Sequence, residues 1–303
     1  MMNMSPSTAG FYVDQLIARG FLIETGLGHG MVGRPKRCLE ARKEAGWFAG
    51  LEWSADQLQA VNVDFAGTRQ GGIERALQRG MSAKELVRSL DEVVEELKGR
   101  SDSPLLGIGL GAPGVVDTAR GTAGDYRFIE GWKDVPLRAR LERRFGVPVT
   151  VESNLRVIAM AERWFGDAAK LEDFIIFGPR SGVGVAIMHR GSILGGVNHA
   201  AGELGNWWWH NGNGGVELHD SLSDAPVWRS LAGARRDDPP PEDLAGAMQK
   251  LGACDNEKLR EVAADFARAI GCLHLLLDTG AFFVHGPLCG LGSDFWELQV
   301  VAQ

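Results

Sequence analysis

At 303 residues, with 45% hydrophobic and 23% charged side chains, the chain can bury more than one core, and two or three packed modules are expected. No run of about eighteen apolar residues occurs, and no basic, then apolar, then small-residue stretch opens the chain, which excludes a spanning helix and a secretory signal and predicts a cytoplasmic protein. The net charge of −7 is uneven: residues 1–45 hold Arg19, Arg34, Lys36, Arg37, Arg42 and Lys43 against Asp14, Glu24, Glu40 and Glu44, a head of +2 on a body of −9.

Ser5-Pro6 has the chemistry of a helix start, a hydroxyl N-cap with proline in the first turn. Val13, Leu16 and Ile17 recur at helical spacing beside Phe11 and Tyr12, predicting an amphipathic helix over 7–19 that Gly20 stops. A strand over 21–25, a glycine-rich tip over 26–33 and a returning strand over 34–40 with a basic edge follow. Helix, strand, basic loop and strand form the second half of a winged helix-turn-helix; an ordinary helix and hairpin with solvated charges fits the same residues.

A strand over 47–52 and its partner over 57–65, with Leu58, Ala60, Val61 and Val63, open the body. Residues 82–98 read as a helix with Leu86, Leu90, Val93, Val94 and Leu97 on one face. Leu105 to Asp117 is a buried strand running into the turn Gly111-Ala112-Pro113-Gly114. A helix to Phe145, a strand over 147–152 and a helix over 154–164 come next, and Ser153 and Asn154 are natural caps for the last. Apolar strands over 174–177 and 183–188 flank a glycine-containing loop, Arg180-Ser181-Gly182-Val183-Gly184, which by itself is an ordinary tight turn. Then come Gly202-Glu203-Leu204-Gly205-Asn206, three tryptophans over 207–209 expected mainly as core or interface packing, with sugar stacking as the other role, and Glu217. Asp237 to Pro241 is a stiff polar connector, and a helix over 257–277 precedes the strand and turn Phe282 to Leu288.

In this order the motifs resemble the ROK family, a name covering repressors, open reading frames and kinases, from about Ser5 to Leu298. The resemblance implies an α/β actin-like, ribonuclease H-like, two-lobe sugar kinase fold behind a partial winged helix-turn-helix. Its expected divisions are a head over 1–45, a first lobe over 46–165 and a C-terminally shortened second lobe over 166–303. Relatives carry two helices before the position of Ser5 and a further strand and helix after that of Gln303. The resemblance makes Ser5 to Arg19 a recognition helix, with Ser5, Ser7 and Thr8 at its start, and makes Arg34, Lys36 and Arg37 the wing that approaches DNA.

Asn154 stands where the family's kinases place the Asp that accepts the sugar hydroxyl proton, so the resemblance implies no catalytic residue here. Glu52-Trp53-Ser54-Ala55 replaces an Asp-Gly-Gly-Thr phosphate loop, Arg180 to Ala186 replaces a second, and Phe128 replaces a sugar-contacting Asn. Asn154, Glu203, Asn206 and Glu217 align with sugar-contacting positions. Family members bind zinc through a His at position 206 and three following cysteines; this chain has none of these, and Cys38, Cys254, Cys272 and Cys289 are scattered without a C-x-x-C pair. Neither zinc nor ATP is expected, and the thiols are expected reduced and mostly buried. The implied protein is a sugar-responsive transcriptional regulator, homodimeric and without membrane contact, whose ligand shifts the lobes and so the DNA heads. The alternatives are a hexose or amino-sugar kinase and a fragment that no longer binds DNA.

Overall fold

The computed structural model describes residues 5–28, 36–78, 80–210, 214–254 and 257–300. The chain divides into two compact units, Met1–Ala112 with Thr118–Val151, and Pro113–Asp117 with Glu152–Gln303.

The first unit is built on a five-stranded sheet in the order Arg69–Ala76, Gln57–Asp64, Trp47–Trp53, Leu105–Ala112, Val149–Ser153. Its first three strands form an antiparallel meander, and Trp47–Trp53 runs parallel to Leu105–Ala112. The parallel step needs a crossover, supplied by the helix Ala83–Gly99. A capping box starts that helix, with Ser82 Oγ accepting from the Glu85 N–H and Glu85 Oε2 accepting from the Ser82 N–H. Its buried stripe is Leu86, Leu90, Val93, Val94 and Leu97, as the spacing predicts. The turn after Trp53 is tight, closed by the Ser54 N–H on the Gln57 carbonyl at 2.8 Å. Trp53 itself is fully buried and meets Trp132 edge to face at 5.2 Å.

The head falls in the same compact unit as the first sheet. Phe21 is the link: its ring lies 5.2 Å from that of Phe65, and its carbonyl accepts from the Arg42 N–H. The helix Pro6–Ala18 is capped by Ser5, and the hairpin Leu22–Gly28 with Lys36–Ala41 follows. No side chain of this helix is buried; Phe11 is 59% exposed and Tyr12 51%.

In the second unit the sheet order is Ser192–Ile193, Val183–His189, Phe174–Pro179, Phe282–Val284, with the last pair parallel and the others antiparallel. The third-second-first-fourth order of the first sheet thus recurs. Both faces are covered, because alternate residues of a strand point to opposite sides. Phe174 and Ile176 pack with Leu155 and Ala159 of the helix Asn154–Phe165. Ile175 and Phe177 pack with Phe266 and Leu273 of the helix Glu257–Leu277. Leu155 and Ala159 bury against the second sheet, and their helix falls in the second compact unit.

The four cysteines are exposed, contrary to the expectation of burial. Cys38 lies on the head hairpin and Cys272 on the helix Glu257–Leu277, whose inward positions are taken by Ala269 and Leu273. Among the described residues no helix is long and apolar enough to cross a membrane.

The contrast between Trp53 and Phe11 is testable by chemical denaturation. Trp53→Ala should destabilise the protein by about 3–5 kcal/mol through the cavity it leaves, whereas Phe11→Ser should change stability by no more than about 0.5 kcal/mol.

Candidate functional site

The sugar-aligned positions Asn154, Glu203, Asn206 and Glu217 all fall in the second unit. Asn154 opens the helix Asn154–Phe165 and is buried. Ser153 occupies the N-cap position but its side chain makes no cap bond; Asn154 Oδ1 instead accepts from the Leu155 N–H at 2.8 Å. Leu155 then reaches over the start of the strand Val183–His189, where a methyl added to Gly184 would lie 2.9 Å from Leu155 Cδ1 and 3.7 Å from the Gly202 carbonyl oxygen. The chain neighbours of Asn154 and of Glu203 therefore approach one another across Gly184.

Glu203 is placed by its own loop. The Gly202 carbonyl accepts from the Val185 N–H at 2.8 Å, tying the loop end to the sheet. Gly202 has φ +95, and a side chain there would overlap the Val185 carbonyl oxygen, so glycine is required on both counts. Glu203 is held in partial burial, which pushes its carboxyl above the ordinary carboxylate range; the positive charge of Arg156 acts in the opposite sense and is the smaller effect.

Arg156 is the residue the sequence reading passed over. It is 4% exposed, one position beyond Leu155 on the buried stripe that also contains Ala159. Its Nη2 donates to the carbonyls of Gly195 (3.1 Å), His199 (2.7 Å) and Ala201 (3.1 Å), and its Nη1 lies 3.4 Å from Glu152 Oε1. The only sequence signal is a cation at a core-facing spacing, which requires buried partners. His199, with φ 58, turns its ring so that Nε2 lies 3.5 Å from Asp117 Oδ1.

Asn206 ends the short turn Leu204–Asn206 and is exposed. Glu217 lies in the strand Gly215–Glu217, directly opposite Trp208 in register. The tryptophans divide: Trp209 packs on the second core and lies under Arg268, whereas Trp207 and Trp208 are 37% and 64% exposed. Alternation on the short ribbon turns Trp208 away from the side on which Trp209 meets the core, and Trp207 precedes the ribbon. His219 Nδ1 accepts from the Val183 N–H at 2.9 Å, and its ring fills the space where Gly205 lacks a side chain. Among the described residues no group of three His, Cys, Asp or Glu side chains is arranged to hold a metal ion.

At the aligned phosphate loops, Trp53 is in the core of the first unit. In the second unit a methyl on Gly286 would lie 2.8 Å from Arg180 Cγ, so the Arg180 stem runs alongside the turn after Phe282–Val284. Of the DNA-aligned residues, Ser5 Oγ lies 2.9 Å from Ser7 Oγ and 2.8 Å from Thr8 Oγ1 and accepts from the Thr8 N–H, all on an exposed helix start. Lys36 and Arg37 pair through their backbones with Gly28 and Leu27, and Arg34 lies outside the described residues.

Two sheets of matching strand order, each flanked by helices, define an actin-like α/β fold. The fold comparison agrees: a ROK family transcriptional regulator described as a homolog of the E. coli MLC protein superposes with a TM-score of 0.79 at 17% identity, over 97% of this chain and 78% of that one. A ROK glucokinase from Streptomyces griseus, in complex with glucose and AMPPNP, gives 0.68 at 21% identity over 84% and 90%. Residues 66–214, about half of the chain, match the ROK family model. The xylose repressor of Caldicellulosiruptor bescii is 27% identical over 209 residues, 68% of this chain and 52% of the repressor. The glucokinase of Halalkalibacterium halodurans is 37% identical over 164 residues, 53% of this chain and 49% of the kinase. The chain spans about half the length of the curated relatives it matches.

The raised Glu203 carboxyl carries a pH signature. Because the folded state holds this proton more tightly than the unfolded chain, its contribution to stability is present below the ordinary carboxylate pKa and is lost as pH rises through the raised value. Glu203→Gln should remove that decline, as read by urea unfolding across pH 4 to 8, a range of about four units around ordinary carboxylate titration.

Proposed function

We propose that this chain is a sugar-responsive transcriptional regulator of the ROK type that binds its ligand without phosphorylating it. The observation that carries the reading is Asn154. A phosphoryl transfer to a hydroxyl needs a proton acceptor, and an amide at the head of this helix has no carboxylate to offer. Glu203 remains on its glycine-fixed loop, able to accept sugar hydroxyl protons in hydrogen bonds, with Asn154, Asn206 and Glu217 as further polar contacts.

Nucleotide does not fit the residues present. A phosphate loop works by close backbone approach, yet here the indole of Trp53 is packed into a core and the stem of Arg180 lies against Gly286. Zinc does not fit either. Asn206 and a cysteine-free segment stand at the ligand positions, and His219 Nδ1 is already engaged by the Val183 N–H. The partner on the head side is DNA, approached by the exposed helix Pro6–Ala18 and the hairpin bearing Lys36 and Arg37, in a cytoplasmic homodimer. The regulators and xylose repressors among the relatives support this assignment.

Kinase activity is the second reading, favoured by the 37% identity to the glucokinase. Thermal unfolding with D-xylose, D-glucose and N-acetylglucosamine separates binding from its absence. At about a hundredfold excess over Kd the cognate sugar should stabilise the protein by about 2.7 kcal/mol, and Glu203→Ala should abolish the shift while leaving a cooperative transition. A panel of pentoses, hexoses and amino sugars without any shift would contradict the sensor assignment.

A further inference from the structure

The loop from Leu194 to Glu203 contains three left-handed residues, Gly196, His199 and Gly202. Its ends are tied to one strand, Leu194 through its N–H on the Ile187 carbonyl at 2.9 Å and Gly202 through its carbonyl on the Val185 N–H at 2.8 Å. Between these ties the Arg156 guanidinium reaches it through three backbone carbonyls, Gly195, His199 and Ala201, at 2.7 to 3.1 Å. Gly195 O is shared, since it also accepts from the Ala201 N–H at 3.2 Å. At the loop tip Val197 is 97% exposed, so the tip buries no apolar side chain and the guanidinium supplies the interior anchor.

We infer that Arg156 is a positioning residue: its buried guanidinium fixes the loop 195–201 by that loop's carbonyls and thereby sets both the place and the charge environment of Glu203, coupling ligand capture at Glu203 to the conformation of the loop. The inference rests on the reading of Glu203 as a sugar-binding carboxylate for its functional consequence, and on geometry alone for the clamp. The planar fork is what lets one side chain meet three carbonyls on one side and Glu152 on the other. A lysine keeps the charge but not the fork; a glutamine keeps donors but not the charge. The two roles of Arg156 are therefore separable by substitution.

Arg156→Lys and Arg156→Gln would be compared with the wild-type chain by amide hydrogen exchange, by carboxyl-carbon NMR of Glu203 and by calorimetric titration with D-xylose and D-glucose. In Arg156→Lys, amides of 195–202 should exchange about tenfold faster or more while those of the helix Glu257–Leu277 keep their protection. In Arg156→Gln, which loses the charge as well as the fork, the Glu203 midpoint should lie above that of Arg156→Lys, and affinity for whichever sugar the wild type binds should fall about tenfold or more at neutral pH. A merely structural arginine would leave the two variants with the same Glu203 midpoint. If the wild type binds neither sugar, the sugar assignment fails while exchange and titration still decide the clamp. Unchanged loop exchange in Arg156→Lys together with equal Glu203 midpoints in the two variants overturns the inference.

Discussion

A guanidinium whose side chain is only 5% exposed must find its hydrogen-bond partners inside the protein, because leaving such a charge unpaired in the interior costs several kcal/mol. Arg156 meets that demand almost wholly with backbone carbonyls. Much of the second unit's geometry follows from that choice. The helix that carries Arg156 is docked by Leu155 and Ala159 against Phe174 and Ile176, so the guanidinium is delivered from a rigid platform to a loop with little packing of its own. Fixing that loop fixes Gly202 against Val185, and with it the direction in which Glu203 leaves the chain. A carboxyl in that partly buried position titrates high, and the neighbouring cation restrains the effect.

Elsewhere, bulky side chains are packed at and beside the positions aligned with the phosphate loops. Trp53 and Trp132 pack edge to face within the first unit, an arrangement worth about 0.5–1.5 kcal/mol beyond the area it buries. The hairpin after Trp53 closes through the Ser54 N–H on the Gln57 carbonyl, so that amide serves the turn. In the second unit His219 fills the gap beside Gly182 and Gly205, accepting from Val183 in the role open to a neutral ring protonated on Nε2. On the proposed reading these side chains serve packing where kinases make ligand contacts. That is the physical basis for assigning recognition without chemistry.

Long, regular elements were legible from the chain alone. The helices Ala83–Gly99 and Glu257–Leu277 appear as read, because their apolar period is regular over several turns. The edge strand Arg69–Ala76 was not legible: two adjacent glycines and alternating charges hide a strand whose pairing is supplied by Gln57–Asp64. The helices Leu218–Leu222, Asp224–Ala232 and Leu244–Gly252 were missed because none exceeds nine residues, and such short helices owe their stability to packing. Glu203 was visible through its glycines, whereas Arg156 was not. A cation on a buried stripe gives no hint of which carbonyls will receive it, since those belong to a loop some forty residues away whose side chains take no part.

The central claim is that this protein recognises a carbohydrate but does not transfer phosphate to it. Phosphorus NMR of ATP and magnesium incubated with the protein and with D-glucose, D-xylose or N-acetylglucosamine tests it most directly. The ATP resonances should persist with no sugar-phosphate signal, even where calorimetry registers the sugar. A sugar-phosphate resonance that grows with protein concentration, and that disappears when Asn154 is replaced by alanine, would contradict the account.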